Sequence, residues 1–363
     1  MVSLTDLPED LWNNIILPVL SINDLYALIL TSKAAGTIIN KYKGIGRYEY
    51  ANIVTSVDKT RTLAEALVKK FSQIRLKLIL LSRLSFDRTD ISSISDNIVT
   101  LTCQYNSIYL PANIMPKLQH LNLRGAAPTL NRMLEDCSHL FPALTHLRMK
   151  KLINVDKIEI RNNMTLCEIS INFDEITCPI TIDNIPNLTL LELSTGDGEE
   201  YDSEYPSDDN MVNITNVPNL TTLAITNYRI NFDLMQFTSL KNLTLYQVNY
   251  KLSSSIGLYQ IKFNEVFPEL QSLGLSNVVT YDSIQEESTL GNISNLRELY
   301  LIHLWGLKHI CNLSNIEFIN ISECYNLEAI NSITNVKDLT INDCPELNKN
   351  FYRADIGHVK MAL

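Results

Sequence analysis

The sequence predicts an α/β fold in which a leucine-rich-repeat solenoid, with a parallel concave sheet, follows a small helical module. The first observation is a repeat near the end of the chain. Five apolar positions recur there after twenty residues, first as Ile316, Ile319, Ile321, Cys324 and Leu327, then as Val336, Leu339, Ile341, Cys344 and Leu347. The second observation is that one apolar template recurs along most of the chain. A short strand of this kind cannot bury its inward face alone, so such repeats must stack.

The composition favours an elongated array or several domains over one compact core. The chain has 363 residues, of which 45% are hydrophobic and 19% charged, and this excludes a mainly disordered protein. The net charge of −10 argues against a general nucleic-acid binder. The seven cysteines show no zinc-type pairing and follow no signal peptide, so we expect reduced thiols in the cytoplasm or nucleus. No apolar run reaches the ~18 residues of a membrane span.

Residues 1–45 are predicted to form the helical module. Pro8 suits the first turn of a helix, and Leu11, Ile15 and Ile16 would form its apolar stripe. Asn23 or Asp24 can cap a second helix, and a third short helix would follow before Gly44.

Residues 4–43 resemble an F-box. The resemblance lies in Leu7-Pro8-Glu9, in the apolar positions Ile15, Ile16 and Leu20, and in Asp24-Leu25 followed by Leu28 and Leu30. Residues 31–35 depart from the family, because Thr-Ser-Lys-Ala-Ala stands where F-boxes have a basic residue and a tryptophan. The alternative is an amphipathic helical cap that closes the solenoid.

Residues 46–95 are predicted to form a helical connector. Its segment TRTLAEALVKKF contains good helix formers with apolar residues at 63, 67 and 71. The run from Ile74 to Phe86 leaves open one or two degenerate first repeats.

Residues 96–347 are predicted to form the solenoid, because eleven apolar triplets fit one template. They are Ile98-Leu101-Cys103, Leu118-Leu121-Leu123, Leu144-Leu147-Met149, Leu166-Ile169-Ile171, Leu188-Leu191-Leu193, Leu220-Leu223-Ile225, Leu240-Leu243-Leu245, Leu270-Leu273-Leu275, Leu296-Leu299-Leu301, Ile316-Ile319-Ile321 and Val336-Leu339-Ile341. Their spacing of 20 to 32 residues leaves no room for a long helix in the shorter coils. Residues 194–210 are predicted to be an acidic surface loop, with a basic partner as the alternative, and residues 348–363 a C-terminal cap.

Strand alternation predicts which side chains line the concave face. They are the neighbours of the buried triplet members, and the chosen substrate-binding candidates are His120, Arg124, His146, Arg148, Lys150, Tyr246, Tyr300 and Phe318. This face would be cationic in its N-terminal third and aromatic in its C-terminal third. Arginine offers a planar fork to a carboxylate or phosphate, so we expect an acidic or phosphorylated segment against Arg124, Arg148 and Lys150. The alternative is ordinary solvated strand decoration.

Motifs of enzymes are absent from the sequence. There is no phosphate-binding glycine loop, no H-E-x-x-H and no G-x-S-x-G, so we predict no enzyme and no cofactor or metal. A stacked array also offers a broad surface more readily than a closed pocket.

The F-box resemblance, together with the repeats, implies a substrate receptor of an SCF-type ubiquitin ligase. In that family the F-box binds a Skp-type adaptor, which joins a cullin, while the repeats hold a protein substrate. The positions that the resemblance assigns to the adaptor contact are Leu7, Pro8, Ile15, Ile16, Leu20, Leu25 and Leu28. The rival is a leucine-rich-repeat scaffold without a ligase role, and an enzyme ranks third.

Overall fold

The structure is a computed structural model. It describes residues 50–55, 75–80, 92–104, 114–125, 137–152, 155–173, 178–195, 211–250, 263–280, 288–347 and 356–362, together with Leu11, Asp24, Ala64, Glu65, Val68, Lys69 and Leu134. The chain divides into two compact units, one made of Met1–Gly125 with His139–Leu144, the other of Ala126–Ser138 with Thr145–Leu363.

The predicted helical module lies almost wholly outside the described residues. Leu11 and Asp24 are helical and exposed. The seven predicted adaptor contacts, from Leu7 to Leu28, fall outside the described residues, so both the F-box and its contacts stay predictions.

The first unit contains four strands that stack in parallel, each paired with the next. They are β1 (Tyr50–Thr55), β2 (Arg75–Leu80), β3 (Ile98–Gln104) and β4 (His120–Arg124). A 3-10 helix, Ser92–Asn97, leads into β3. Two of the strands lie in the segment 46–95, where Leu76 and Leu78 are buried and Lys77 is half-buried between them. Ala64, Glu65, Val68 and Lys69 of the same segment are helical, so this segment combines helix with parallel rungs.

The described part of the second unit consists mainly of short strands. They are β5 (His146–Leu152), β6 (Ile158–Arg161), β7 (Glu168–Phe173), β8 (Ile180–Asp183), β9 (Leu190–Thr195), β10 (Met211–Thr215), β11 (Thr222–Thr226), β12 (Arg229–Ile230), β13 (Asn242–Tyr246), β14 (Asn249–Tyr250), β15 (Ser272–Ser276), β16 (Val279–Thr280), β17 (Ser288–Gly291), β18 (Glu298–Ile302), β19 (Leu307–Ser314), β20 (Phe318–Ser322), β21 (Ala329–Thr334), β22 (Val336–Asn342) and β23 (Ile356–Ala362). The described helices are α1 (Cys137–Leu140), which crosses the boundary between the units, α2 (Phe263–Val266) and a 3-10 turn, Leu234–Gln236.

The strands of the second unit form a long parallel sheet. Its order is β5-β7-β9-β11-β13-β15-β18-β20-β22-β23, and neighbouring strands pair in parallel. The triplets beginning at Leu188, Leu220, Leu240 and Leu270 supply adjacent rungs of this sheet. The described chain is therefore a parallel-strand β-solenoid, as the repeat period predicts.

The return half of many coils in the second unit also contains a strand. A second parallel sheet has the order β16-β14-β12-β10-β8-β6, and a third has the order β17-β19-β21. Ile158 with Ile160, and Ile180 with Ile182, are buried in this second sheet. The α/β prediction is thus only partly right, because the described helices are short. Coils of this length return through a brief alternating strand rather than a helix.

The predicted triplets form the core. All eleven are described, and no member exposes more than 2% of its surface. Their second and third members lie in register across neighbouring rungs, as Leu223, Leu243 and Leu273 do. Each such buried side chain contributes about 1.5–3 kcal/mol of hydrophobic free energy.

The predicted insertion and cap are described only in part. Ser194 and Thr195, which begin the predicted acidic insertion, are the last residues of β9, and residues 196–210 lie outside the described part of the chain. Within the predicted cap, Ile356–Ala362 form β23, which pairs in parallel with β22 and adds a rung to the long sheet. Over the described residues, no helix has the length and apolarity needed to cross a membrane.

Candidate interaction surface

The long sheet of the second unit has one solvated face, called here the outer face. It consists of the side chains that alternate with the buried ones, as in β7, where half-buried and buried residues follow one another. Parallel register arranges these side chains in rows across the strands. One row runs through Arg148, Ser170, Glu192, Ala224, Thr244, Gly274, Tyr300, Asn320, Thr340 and Lys360.

The cationic end of this face contains His146, Arg148 and Lys150, as predicted. Glu168 of the next rung lies against two of them: its Oε1 is 3.5 Å from His146 Nε2, and its Oε2 is 3.8 Å from Arg148 Nη2. Both pairs are partly exposed, so each is worth at most about 1 kcal/mol. An anionic ligand of Arg148 would therefore compete with Glu168. The sequence missed this partner, because residues 148 and 168 meet only through the register of the rungs.

The first unit holds the two remaining cationic candidates. His120 is half-buried and Arg124 is exposed, and they flank the buried Leu121 and Leu123 of β4. Between them, Asn122 Nδ2 donates a hydrogen bond to Thr102 Oγ1 of β3 at 3.2 Å. Arg124 therefore faces solvent within its own unit, as strand alternation predicts.

The middle of the outer face carries small side chains. Ala224, Thr244 and Gly274 are direct neighbours in register. A Cβ added to Gly274 would lie 3.4 Å from Thr244 Oγ1, which is an ordinary contact, so packing does not demand glycine here. Ala224, Thr244 and Gly274 therefore form a strip with little side-chain height, the low strip. Tyr246 lies at the end of β13 and is 40% exposed.

At the aromatic end of the outer face, two aromatic rings pack against each other. Tyr300 and Phe318 lie on adjacent strands with ring centroids 5.3 Å apart and ring planes at 39°. Tyr300 remains 36% exposed. Partial burial, and then the carboxylate of Glu298, raise the pKa of the Tyr300 phenol, so its hydroxyl stays protonated and can donate a hydrogen bond.

Asn320 adds a polar atom to this aromatic end. It pairs in register with Tyr300. Its Oδ1 atom is buried and has no hydrogen-bond partner among the described residues. A buried acceptor without a partner costs about 1–3 kcal/mol, and a donor supplied from outside would recover part of that cost.

A pocket of about 430 Å³ opens at the turns of the second sheet. Its lining residues are Asn184, Pro186, Asn216, Val217, Pro218, Gln236 and Phe237. The Gln236 amide already donates to Ile214 O at 3.1 Å and Asp233 O at 2.9 Å. These lining groups offer amides and apolar surface but no acid or base, so the pocket has no arrangement for proton transfer.

Three of the buried cysteines behave as small hydrophobic residues. Burial raises the pKa of the Cys103, Cys137 and Cys178 thiols to about 12, so these groups stay neutral. Cys324 and Cys344 occupy equivalent positions in adjacent coils, and the hydrogen bond that they share raises the pKa of Cys324 and lowers that of Cys344 to about 7. All five are buried. Among the described residues, no group of three or more His, Cys, Asp or Glu side chains is placed to hold a metal ion.

The fold and this surface define the class of the protein as a parallel-strand β-solenoid with a solvated, partly aromatic sheet face. Comparison with known proteins adds nothing to that class: no family model, no curated protein and no solved structure matches the chain.

Proposed function

We propose that this chain is a protein-binding leucine-rich-repeat solenoid that serves as the substrate-recognition subunit of an SCF-type ubiquitin ligase. The observation that carries the binding role is the outer face of the long sheet. Tyr300, Phe318 and Tyr246 stand on strands fixed by parallel pairing on both sides. Exposed aromatic side chains on a rigid backbone are the usual anchors of a protein interface, because they bury much area and lose little conformational freedom.

The shape of this surface favours a protein over a small molecule. The outer face spans many rungs of the long sheet, whereas small ligands need sites that enclose most of their surface. Small side chains at Ala224, Thr244 and Gly274 allow a partner to approach the sheet beside Tyr300. The client would meet aromatic anchors at one end of the low strip and, beyond Glu192 and Ser170 at the other end, the cations.

An acidic or phosphorylated segment of the client is proposed for the cationic candidates. Arg148 and Lys150 are exposed on the second unit, and Arg124 is exposed on the first. The client's anion would compete with Glu168 for Arg148. For that reason the aromatic end is the main anchor in this proposal, and the cations adjust specificity and association rate.

The ligase role rests on the resemblance of residues 4–43 to an F-box. By that resemblance Leu7, Pro8, Ile15, Ile16, Leu20, Leu25 and Leu28 contact a Skp-type adaptor, which links the chain to a cullin in the cytoplasm or nucleus. The chain itself performs no chemistry. Its contribution is to hold a client lysine near the charged ubiquitin-conjugating enzyme, which turns a bimolecular encounter into a local one. The alternative is a solenoid scaffold in which residues 1–45 form only a cap.

Co-expression with a Skp-type adaptor tests the ligase role. We expect the two proteins to co-elute from a size-exclusion column, and the variant Leu7→Ala with Pro8→Ala to elute without the adaptor. A second variant, Tyr300→Ala with Phe318→Ala, serves as the matched control, since it alters the outer face and should keep the adaptor while losing clients identified by affinity purification and mass spectrometry. A monodisperse wild-type chain without adaptor affinity would establish the scaffold instead. Equal client capture by the Tyr300 and Phe318 variant would remove the outer face from the binding site.

A further inference from the structure

We propose that the second unit has another docking site, at one edge of the long sheet, for an arginine-containing basic peptide segment of a partner protein. The site consists of His303, Trp305, Glu323 and Tyr325, which are called here the aromatic edge. It does not rest on the proposed function, because it lies in the turns beyond the strands and uses none of the outer-face residues.

The repeat places these four residues together. Ile302 pairs with Ser322 at the ends of β18 and β20, so the turns that follow run side by side. Trp305 and Tyr325 are equivalent positions of successive coils, and their ring centroids lie 5.1 Å apart. The His303 ring lies 5.3 Å from the Trp305 ring and 5.8 Å from the Tyr325 ring. The three rings therefore form one continuous aromatic surface.

The backbone under this surface is held by hydrogen bonds between coils. His303 N donates to Ser322 O at 2.9 Å, and Glu323 N donates to Asn342 O at 3.0 Å. Asn326 Nδ2 donates to Trp305 O at 2.7 Å, which fixes the turn that carries the indole. The aromatic edge is thus preorganised, and a partner would not have to order it.

Trp305 is the strongest indication that something binds here. Its exposed fraction is 56%, the largest among the exposed large hydrophobic side chains of the described residues. The packing of the core does not require it, since the buried positions that flank it in the chain are Leu301, Leu304 and Leu307. An indole held in place with its surface in water is a typical anchor residue of an interface.

Charge selects the kind of partner. The carboxylate of Glu323 lies within the aromatic edge, 3.1 Å from His303 Nδ1. Asp343 and Glu346 are exposed in the next turn of the same column, about one strand spacing (~4.8 Å) further on. Aromatic faces attract cations, and a guanidinium can stack on an indole while it donates to a carboxylate. Arginine satisfies both halves of this surface, whereas an acidic or phosphate-bearing partner would be repelled by the three carboxylates.

A labelled nine-residue peptide of alternating Arg and Gly is the probe for this site. We expect fluorescence anisotropy to show binding to the full chain that weakens as NaCl is raised, because part of the attraction is between exposed charges. Trp305→Ala should weaken the binding at least about fivefold, and Glu323→Gln about threefold. Met235→Ala is the matched control, since Met235 is another exposed apolar side chain of the second unit, 40% exposed, and this variant should bind like the wild type.

Two further measurements keep the test decisive. The peptide with Glu in place of Arg should not bind, and equal binding of both peptides would overturn the proposal. The chain has two tryptophans, so a Trp12→Phe background leaves Trp305 as the only indole, and its emission should change on titration with the Arg peptide. Trp305→Ala that keeps the wild-type circular dichroism spectrum and the wild-type affinity would also overturn the proposal.

Discussion

The surroundings of Leu243 follow directly from its position in the repeat. It lies in β13, is fully buried, and has Leu223 and Leu273 as its partners in register on the two neighbouring rungs. Its immediate neighbour Thr244 points the other way and is exposed. Two successive residues of one strand thus have opposite roles, one in the core and one on the outer face.

We expect Leu243→Ala to lower the free energy of unfolding by about 2–5 kcal/mol. The loss has two parts, the missing hydrophobic transfer of the leucine atoms and a cavity that the stacked neighbours cannot close. Urea denaturation followed by circular dichroism measures it. Thr244→Ala is the matched control and should change the urea midpoint far less. If the two variants unfold at the same urea concentration, Leu243 is not part of the core.

The structure explains why asparagine recurs in the turns between strands. Backbone angles in the left-handed region recur at equivalent turn positions, and most of these residues are asparagine, including Asn184, Asn216, Asn227, Asn315 and Asn335. Asparagine tolerates this conformation better than other residues that carry a Cβ. The side chains also connect successive coils, since Asn335 Nδ2 donates to Asn315 Oδ1 at 2.7 Å and Asn184 Nδ2 to Asn162 Oδ1 at 2.7 Å. The abundance of asparagine in this sequence therefore has a structural cause.

Asn335 allows the two contributions of such a turn to be separated. Its φ is 52°, so alanine would be strained there, while glycine would not. Both substitutions remove the amide hydrogen bond to Asn315. We expect Asn335→Gly to be more stable than Asn335→Ala by about 1 kcal/mol in thermal or urea unfolding. Equal stabilities for the two variants would mean that the turn relaxes and that backbone strain does not restrict this position.

For the whole molecule, we expect the free energy of unfolding to be the sum of contributions from single coils and from the interfaces between neighbouring coils. β20 pairs only with β18 and β22, and β22 pairs with β20 and β23, so a coil interacts mainly with its neighbours. The coils that carry β20 and β22 have equivalent core positions twenty residues apart, and all of these are buried. One of these coils should therefore be able to take the place of the other.

Deletion of residues 316–335 tests this description. Asn315 would then precede Val336, and β22 would take the place of β20 beside β18 with its apolar residues in register. We expect a folded chain with the wild-type shape of the circular dichroism spectrum and a lower melting temperature. Deletion of residues 316–325 is the control, because half a coil removes strand β20 without a replacement and should disrupt folding of that end. Similar unfolding by both deletions would contradict a chain of equivalent coils.

Apolar periodicity alone predicts the solenoid, the buried triplets and the solvent-facing side of the strands that carry those triplets. It could do so because a strand alternates its faces with a period of two and because a coil that repeats must stack on its copy. Leu243, Tyr300 and Phe318 were all placed correctly by this rule. The same reasoning missed the second sheet, although Ile158 with Ile160 and Ile180 with Ile182 show the alternation that signals it.

Which side chains meet across coils depends on the tertiary structure. Glu168 beside Arg148, Asn335 beside Asn315, and Trp305 beside Tyr325 are each about twenty residues apart in the chain, and they come together through the register of parallel strands. Connections of unequal length separate most of the coils, so sequence spacing alone does not fix that register. The physical reason is that burial of apolar side chains depends on the pattern within one coil, whereas contacts on the surface depend on how one coil is aligned with the next.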